Sequence, residues 1–272
     1  MRGPRKPRLS RDELRALVLS AGRAILQEEG IEPGTDNLTF KRVFEQVERT
    51  EGIQLTNASV IRRVWENQAD FQADVLSAIA RDVERPEVEE TLRAVHTFLD
   101  GFNLSTPELR VGAMRELCRL VGAASSESLQ NSSNWPLWIS VVAMATTSSP
   151  SERRSRVQSA LRDGYVSITE FWEASTEGFM AYLGLRFRDQ WTLRQYTITT
   201  TALSEGYALR QYIEGGLKSF MRPTGPNGEL QEWTLFGAAM EALVVQCVEP
   251  DPEVTAVSRA VAGRPASSAV GR

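Results

Sequence analysis

The sequence predicts an all-α protein with a small N-terminal domain and a larger C-terminal helical domain. Apolar residues recur at three- and four-residue steps along most of the 272 residues, which is the spacing of one helix face. Capping residues precede these stretches, and glycine or proline follows them. The run Tyr196–Thr201 is rich in Thr and Ile, as strands are, but the helical spacing continues through it. Helix is therefore predicted there as well.

The charge of the chain is unevenly distributed. The net charge of −4 excludes a uniformly basic nucleic-acid binder, and 42% hydrophobic with 24% charged residues is ordinary for a soluble globular protein. Residues 1–63 nevertheless hold 12 Lys or Arg against nine acids, whereas the remainder holds 19 against 26. Five of the first eleven residues are basic and none is acidic. Residues 1–9 are thus either a basic arm that meets an anion or a solvated, disordered terminus.

The first predicted helix begins and ends at recognisable capping residues. Ser10 and Glu13 have the spacing of a capping box, and Gly30 is suited to the end of the helix. The inner face would be formed by Leu14, Leu17, Val18, Ala21 and Ile25. Residues 31–37, with Pro33 and Gly34, are predicted as a loop.

Two further helices follow within a short stretch. Thr39 caps one that runs to about Glu51 and ends at Gly52. After a turn over residues 53–55, Thr56 or Asn57 caps the next. Its inner face would be Val60, Ile61, Val64 and Trp65, and a fourth helix carries Phe71, Val75, Leu76 and Ile79.

The C-terminal part is predicted to contain long helices. Residues 86–148 divide into two or three shorter helices, with breaks near 101–106 and 123–134. Two long amphipathic helices follow over about 151–183 and 189–214, separated by Gly184. A turn at Gly225–Gly228 precedes a last helix from about Glu229 to Val248, and the tail over 250–272 is predicted to be disordered.

Residues 38–65 have the pattern of a helix-turn-helix, in which the second helix enters the major groove of DNA. That helix needs a polar start, and Arg and Asn can read guanine and adenine. Residues at the start of the preceding helix can hold phosphate. The alternative is a plain helical hairpin with a solvated polar face. The candidate DNA-binding residues are Thr39, Lys41, Arg42, Thr56, Asn57, Ser59, Arg62 and Arg63.

Residues 10–80 resemble the TetR (tetracycline repressor) family of bacterial-type transcriptional regulators. Leu14–Glu29 with Gly30 resembles its first helix, and Leu38–Gly52 resembles its second. The family then has a Tyr-x-x-Phe-x-x-Lys-x-x-Leu run, which Arg62–Phe71 resembles. Trp65 and Phe71 stand at the aromatic and leucine places, whereas Arg62 and Gln68 replace the tyrosine and lysine. The loop before the second helix and the turn after it are also longer than usual.

The resemblance implies a helix-turn-helix DNA-binding domain over 10–66 and an effector-binding and dimerisation domain over 67–249. It implies a homodimeric repressor that binds operator DNA and is released by a small-molecule effector. The candidate effector-pocket residues, for which ordinary core packing is the alternative, are Trp135, Trp138, Met144, Phe171, Trp172, Phe179 and Tyr182. In the two long helices the candidate dimer contacts are Leu161, Ile168, Leu203 and Tyr207.

Other classes of protein are less compatible with the sequence. A single histidine, His96, cannot form the usual zinc or triad sets, so no enzyme, metal or cofactor is expected. Cys118 and Cys247 lie in apolar surroundings typical of buried thiols in a cytoplasmic protein. No apolar stretch is long enough to span a membrane, and no signal peptide is predicted. The competing functional hypothesis is a helical ligand-binding or protein-interaction dimer with a degenerate helix-turn-helix.

Overall fold

The computed structural model describes residues 9–31, 35–56, 60, 63–81, 92–93, 95, 97, 99–147, 149–216, 218–225 and 228–254. Over these residues the chain is mostly helical, as predicted, with two small antiparallel sheets of two strands each. The helices are α1 (Arg11–Glu29), α2 (Phe40–Glu51), α3 (Gln68–Arg81), α4 (Pro107–Asn131), α5 (Trp135–Thr147), α6 (Glu152–Leu183), α7 (Leu193–Glu214) and α8 (Leu235–Cys247). The strands are β1 (Leu185–Phe187), β2 (Phe220–Pro223), β3 (Leu230–Trp233) and β4 (Val248–Pro250).

The chain forms two compact units, each assembled from two separate stretches. Unit 1 comprises residues 1–83 and 132–165, and unit 2 comprises residues 84–131 and 166–272. The boundary between residues 165 and 166 falls within α6. Unit 1 is therefore larger than the predicted 10–66 segment, because α3, α5 and the first half of α6 bury their apolar faces with α1 and α2.

Local capping confirms the predicted starts of α1 and α2. The Ser10 hydroxyl accepts a hydrogen bond from the Glu13 N–H at 3.1 Å, and the Glu13 carboxylate accepts one from the Ser10 N–H at 2.8 Å. The Thr39 hydroxyl accepts from the Arg42 N–H at 3.3 Å. Gly52 ends α2 in the left-handed conformation, with φ of 63°, which glycine adopts without steric cost.

Unit 1 is held together by a core to which every one of its described helices contributes. Val18, Val43, Phe71 and Val141 are fully buried in it, and Val157 of α6 is nearly so. Helix α6 passes close to the end of α3, because a Cβ atom placed on Gly164 would lie 2.4 Å from the Ala80 carbonyl oxygen. The apolar periodicity of α1, α2 and α3 is thereby explained as core packing.

Unit 2 contains a second core and a buried ion cluster. Helices α4 and α8 cross closely, because a Cβ atom placed on Gly122 would lie 2.4 Å from the Gly237 Cα. Glu241 of α8 is buried and accepts hydrogen bonds from Arg115 and Arg222. The Arg222 guanidinium also lies 4.6 Å from the ring centroid of Trp233, so the cluster ties the β2–β3 hairpin to α8.

The structure corrects two sequence predictions in unit 2 and adds a strand pairing that was not predicted. The break predicted near residues 123–134 occurs only at residues 132–134, because helix α4 continues to Asn131, and within that stretch the Ser126 hydroxyl donates to the Gly122 carbonyl at 2.8 Å. The last helix starts at Leu235 rather than near residue 229, because the preceding residues pair as the β2–β3 hairpin. Strand β4 then pairs with β1, with Pro250 opposite Leu185.

The chain ends differ partly from their predictions. Residues 250–254 are structured rather than disordered, and Arg110 donates to the Val254 carbonyl at 2.9 Å. The rest of the predicted tail, residues 1–8 of the predicted arm over 1–9, and His96 lie outside the described residues. In the part of the chain that the structure describes, no helix is long and apolar enough to cross a membrane.

Candidate nucleic-acid interface

The recognition segment, residues 56–65, is described at Thr56, Val60 and 63–65. The Val60 N–H donates to the Thr56 carbonyl at 3.2 Å, and the Val64 N–H donates to the Val60 carbonyl at 2.9 Å. Both hydrogen bonds join residues four positions apart, which is the spacing of an α-helix. Val60 and Trp65 are buried, as predicted for the inner face, and Val64 is half-buried. Asn57, Ser59, Ile61 and Arg62 lie outside the described residues.

An aromatic cluster attaches the end of the recognition segment to the helices on either side. The rings of Phe40 and Phe71 stack with centroids 4.9 Å apart, and Trp65 meets Phe71 edge-on at 5.1 Å. Phe40 is the first residue of α2, and Phe71 lies in the first turn of α3. The cluster therefore determines where the C-terminal end of the recognition segment lies relative to α2.

A half-buried carboxylate completes this attachment and was not predicted. Asp74 Oδ2 accepts hydrogen bonds from Trp65 Nε1 and from Arg15, both at 2.9 Å, and Oδ1 accepts from Arg156 at 2.7 Å. Burial alone raises the pKa of this carboxyl, but the hydrogen bonds and charges of its partners lower the pKa below the ordinary value of 3.8. Its position three residues after Phe71, on a helix face of apolar residues, is the sequence signal that could have identified it.

The candidate DNA-contacting cations differ in how strongly they already interact with other groups of the chain. Lys41 has 85% of its side chain exposed and lies 4.0 Å from Glu45. Arg42 instead pairs with Glu29 and donates to the Asn37 carbonyl at 3.1 Å, which ties α2 to the end of α1. The hydrogen bond from Arg42 lowers the pKa of Glu29. Arg63 donates to the Leu9 carbonyl at 3.3 Å, so Lys41 is the candidate cation with the most accessible described side chain.

The candidate effector residues separate into two groups. In unit 1, Trp135 stacks on Trp138 at 5.3 Å, and Met144 packs against the core. The buried Trp135 indole N–H has no partner among the described residues. The other four belong to unit 2: Phe171 and Trp172 meet edge-on at 5.3 Å, Phe179 is buried in the core, and the Tyr182 hydroxyl donates to Asp100 at 3.0 Å.

A separate open cleft of about 270 Å³ lies in unit 2 and includes none of the candidate effector residues. It is lined by Leu129, Gln130, Ala208, Gln211, Tyr212, Gly215 and Gly216.

The candidate dimer residues face inward more than the sequence suggested. Leu161 is only 8% exposed and belongs to the core of unit 1, so its side chain is not available to a partner. Ile168 and Leu203 are half-buried, and Tyr207 is half-buried against Phe236 with ring centroids 6.1 Å apart. Helical spacing cannot tell an inner stripe from an outer one when a helix has both.

A different apolar surface is exposed on α7, and we call it the α7 outer face. Its members are large apolar side chains that are exposed. The helical repeat places Ile198, Leu209 and Tyr212 on one side of α7, with Ile213 at the edge of that side. They are Ile198 (50% exposed), Leu209 (40%), Tyr212 (63%) and Ile213 (71%).

Two further observations bear on the class of protein. Among the described residues, no group of three or more His, Cys, Asp or Glu side chains is arranged to hold a metal ion. No protein-family model matches the chain, and no curated protein matches it. Function is therefore inferred below from the geometry of unit 1 and from the resemblance of residues 10–80.

Proposed function

We propose that this chain is a TetR-type transcriptional regulator, a repressor that binds operator DNA as a homodimer and is released by a small-molecule effector. The observation that carries the proposal is the attachment of the recognition segment to α2 and α3 through Phe40, Trp65 and Phe71. A helix-turn-helix requires its two helices to be braced against a common core while polar residues of the second reach the bases. The order of α1, α2, Gly52 and the recognition segment agrees with that requirement.

The charges near α2 support a phosphate-binding role for the start of this helix. A helix N-terminus favours anions, and Lys41, in the first turn of α2, offers an exposed ammonium group there. Asn57, Ser59 and Arg62 are the base-reading candidates from the sequence, and the basic residues 1–9 would add contacts to the DNA backbone.

The α7 outer face supports the homodimer. A group of exposed apolar side chains on one side of a helix is typical of an interaction surface, and Ile198, Leu209 and Tyr212 form such a group. A second copy of the chain suits the proposed function, because two heads read two half-sites about one helical turn apart, or a multiple of it. The effector would be bound in the C-terminal part, where the candidate aromatic residues Phe171 and Trp172 are half-exposed.

The test is selection of bound DNA from a random pool, followed by gel shifts on the enriched sequence. We expect Lys41→Gln to weaken binding and to lower the log–log salt slope by about 0.9, the value for one phosphate contact. Arg210→Gln is the matched control, because Arg210 is also exposed and also forms an (i, i+4) pair, with Glu214, in unit 2. An equal loss in both variants would contradict a specific contact at Lys41, and no enriched sequence would overturn the proposal.

One observation favours the competing function, a helical ligand-binding or protein-interaction dimer. Two of the cations expected at the DNA, Arg42 and Arg63, bind groups of their own chain instead. That function predicts no enriched DNA sequence from a protein that still sediments as a dimer. Sedimentation of the same preparation used for DNA selection thus separates the two functions.

A further inference from the structure

Three parts of unit 1 meet at the Asp74 carboxylate. Trp65 ends the recognition segment, Arg15 belongs to α1, and Arg156 lies in the second turn of α6. Arg156 also donates to Asp70 Oδ1 at 3.1 Å, so one guanidinium spans two carboxylates one turn apart on α3. The side chain of Asp74 is 18% exposed, so these bonds are partly shielded from water.

The Trp65 indole depends on this carboxylate for its polar atom. Trp65 is 4% exposed, and a buried N–H without an acceptor is costly. The ring also meets the apolar rings of Phe40 and Phe71, with centroids 6.4 Å and 5.1 Å away. The orientation of the indole, and with it the end of the recognition segment, therefore follows the position of the carboxylate.

Helix α6 in turn determines where Arg156 lies. Val157, Ala160 and Leu161 follow it and are buried in the core of unit 1. A second ion pair also joins α3 to α6, between Arg81 and Asp163 at 3.4 Å, but it is more than half exposed and makes no contact with Trp65. Only the Arg156–Asp74 pair is thus linked to the recognition segment, through the hydrogen bond between Asp74 and Trp65.

We infer that Asp74 is a positioning residue for the recognition segment and that Arg156 acts on the segment through it. The inference rests on the proposed function, and it makes α6 the helix whose position against α3 tunes DNA reading. Removing the Arg156 charge leaves the carboxylate with fewer donors, so it shifts towards Arg15 and turns the indole. A role confined to stability would lower the melting temperature without changing which DNA is bound.

The experiment compares Arg156→Gln with the matched control Arg81→Gln in the full-length protein. Two quantities are measured at a temperature where both variants are folded. One is the ratio of affinities for the enriched DNA and for random DNA. The other is the indole ¹H–¹⁵N resonance of Trp65, identified by its loss in Trp65→Phe. We expect Arg156→Gln to shift the resonance and to lower the ratio by roughly ten-fold, which corresponds to about 1.4 kcal/mol and is close to the lower limit for a hydrogen bond to a charged group. Arg81→Gln should change neither.

Asp74→Asn provides a second test, because asparagine keeps an acceptor oxygen for the indole but loses the charge that holds Arg15 and Arg156. This variant should lower the affinity ratio as Arg156→Gln does. If Asp74→Asn fails to fold, the inference is tested by Arg156→Gln alone. An unchanged ratio and resonance in Arg156→Gln, or equal changes in both arginine variants, would overturn the inference. Absence of any enriched sequence with the wild-type protein would overturn the proposed function instead, and the Trp65 resonance would still decide the contact.

Discussion

Phe40 and Phe71 stack with their ring centroids 4.9 Å apart and an angle of 25° between the ring planes. The contact joins the first residue of α2 to α3 across 30 residues of intervening chain, and both rings are buried. Trp65 meets both rings, so this aromatic cluster supports α2, the recognition segment and α3 together. The stability of unit 1 and the geometry of the candidate DNA-binding elements consequently depend on the same side chains.

Replacing Phe40 with alanine should destabilise the protein by about 3 kcal/mol, because it leaves a cavity between two rings that cannot close it. Urea unfolding followed by far-ultraviolet circular dichroism measures the change. Phe220→Ala is the control, since Phe220 is 36% exposed on β2 and should cost much less. Equal losses in the two variants would mean that the Phe40–Phe71 stack contributes no particular stability.

Replacing Gly122 with alanine should destabilise the protein strongly, because the new methyl group would lie 2.4 Å from the Gly237 Cα and force α4 and α8 apart. Gly112 lies on the same helix with open space around its Cα. Gly112→Ala should therefore stabilise the protein, by roughly 0.5–1 kcal/mol, through the better helix propensity of alanine. We expect the melting temperature to fall in Gly122→Ala and to rise in Gly112→Ala. An unchanged melting temperature in Gly122→Ala would show that the helices do not cross there.

Placing a charge on the α7 outer face should weaken the proposed homodimer. Ile198→Glu and Tyr212→Glu put a carboxylate at positions that are 50% and 63% exposed, so the monomer should fold normally. Sedimentation at micromolar concentration should show dissociation of both variants, and operator binding should fall with it. Ala123→Glu, at an exposed position of α4, is the control. A wild-type monomer would refute the dimer, and a variant that stays dimeric would move the interface away from α7.

The buried carboxylate of Glu241 should make unit 2 sensitive to acid. Burial raises the pKa of this group, but the hydrogen bonds and charges of Arg222 and Arg115 lower the pKa below its ordinary value of 4.5. A pKa that is lower in the folded state than in the unfolded state gives stability that is full above about pH 4.5 and is lost as the pH falls through the folded pKa. The melting temperature of the wild type should therefore decrease as the pH is lowered below about 4.5.

In Glu241→Gln the acid-dependent part of this fall should be smaller, while the variant is less stable at pH 7, because two arginines lose their partner. Glu127→Gln, at an exposed position of α4, serves as the control. Superimposable pH profiles for the wild type and Glu241→Gln would contradict the assigned role of this carboxylate.

Most predictions that depend on capping residues agree with the structure. The capping box of Ser10 and Glu13, the Thr39 cap and the Gly52 end were all predicted, and so was the helical state of Tyr196–Thr201. In that last segment Thr199, Thr200 and Thr201 donate to carbonyl groups three or four residues earlier, which satisfies their hydroxyls inside the helix. A cap or a helical turn involves residues within four positions of one another, so its free energy can be judged from a short window.

Contacts between distant residues were decided by the tertiary structure alone. Asp74 binds Arg15 and Arg156, which lie 59 and 82 residues away, and no local pattern pairs them. The orientation of α7, which leaves Leu203 half-buried and Ile198 exposed, depends on what packs against that helix. The β2–β3 hairpin depends on Glu241 and Trp233 as anchors. The sequence by itself determined where most helices begin and end, since those signals lie within one turn. Burial and ion pairing depend on which surfaces meet once the chain has folded, so only the tertiary structure could decide them.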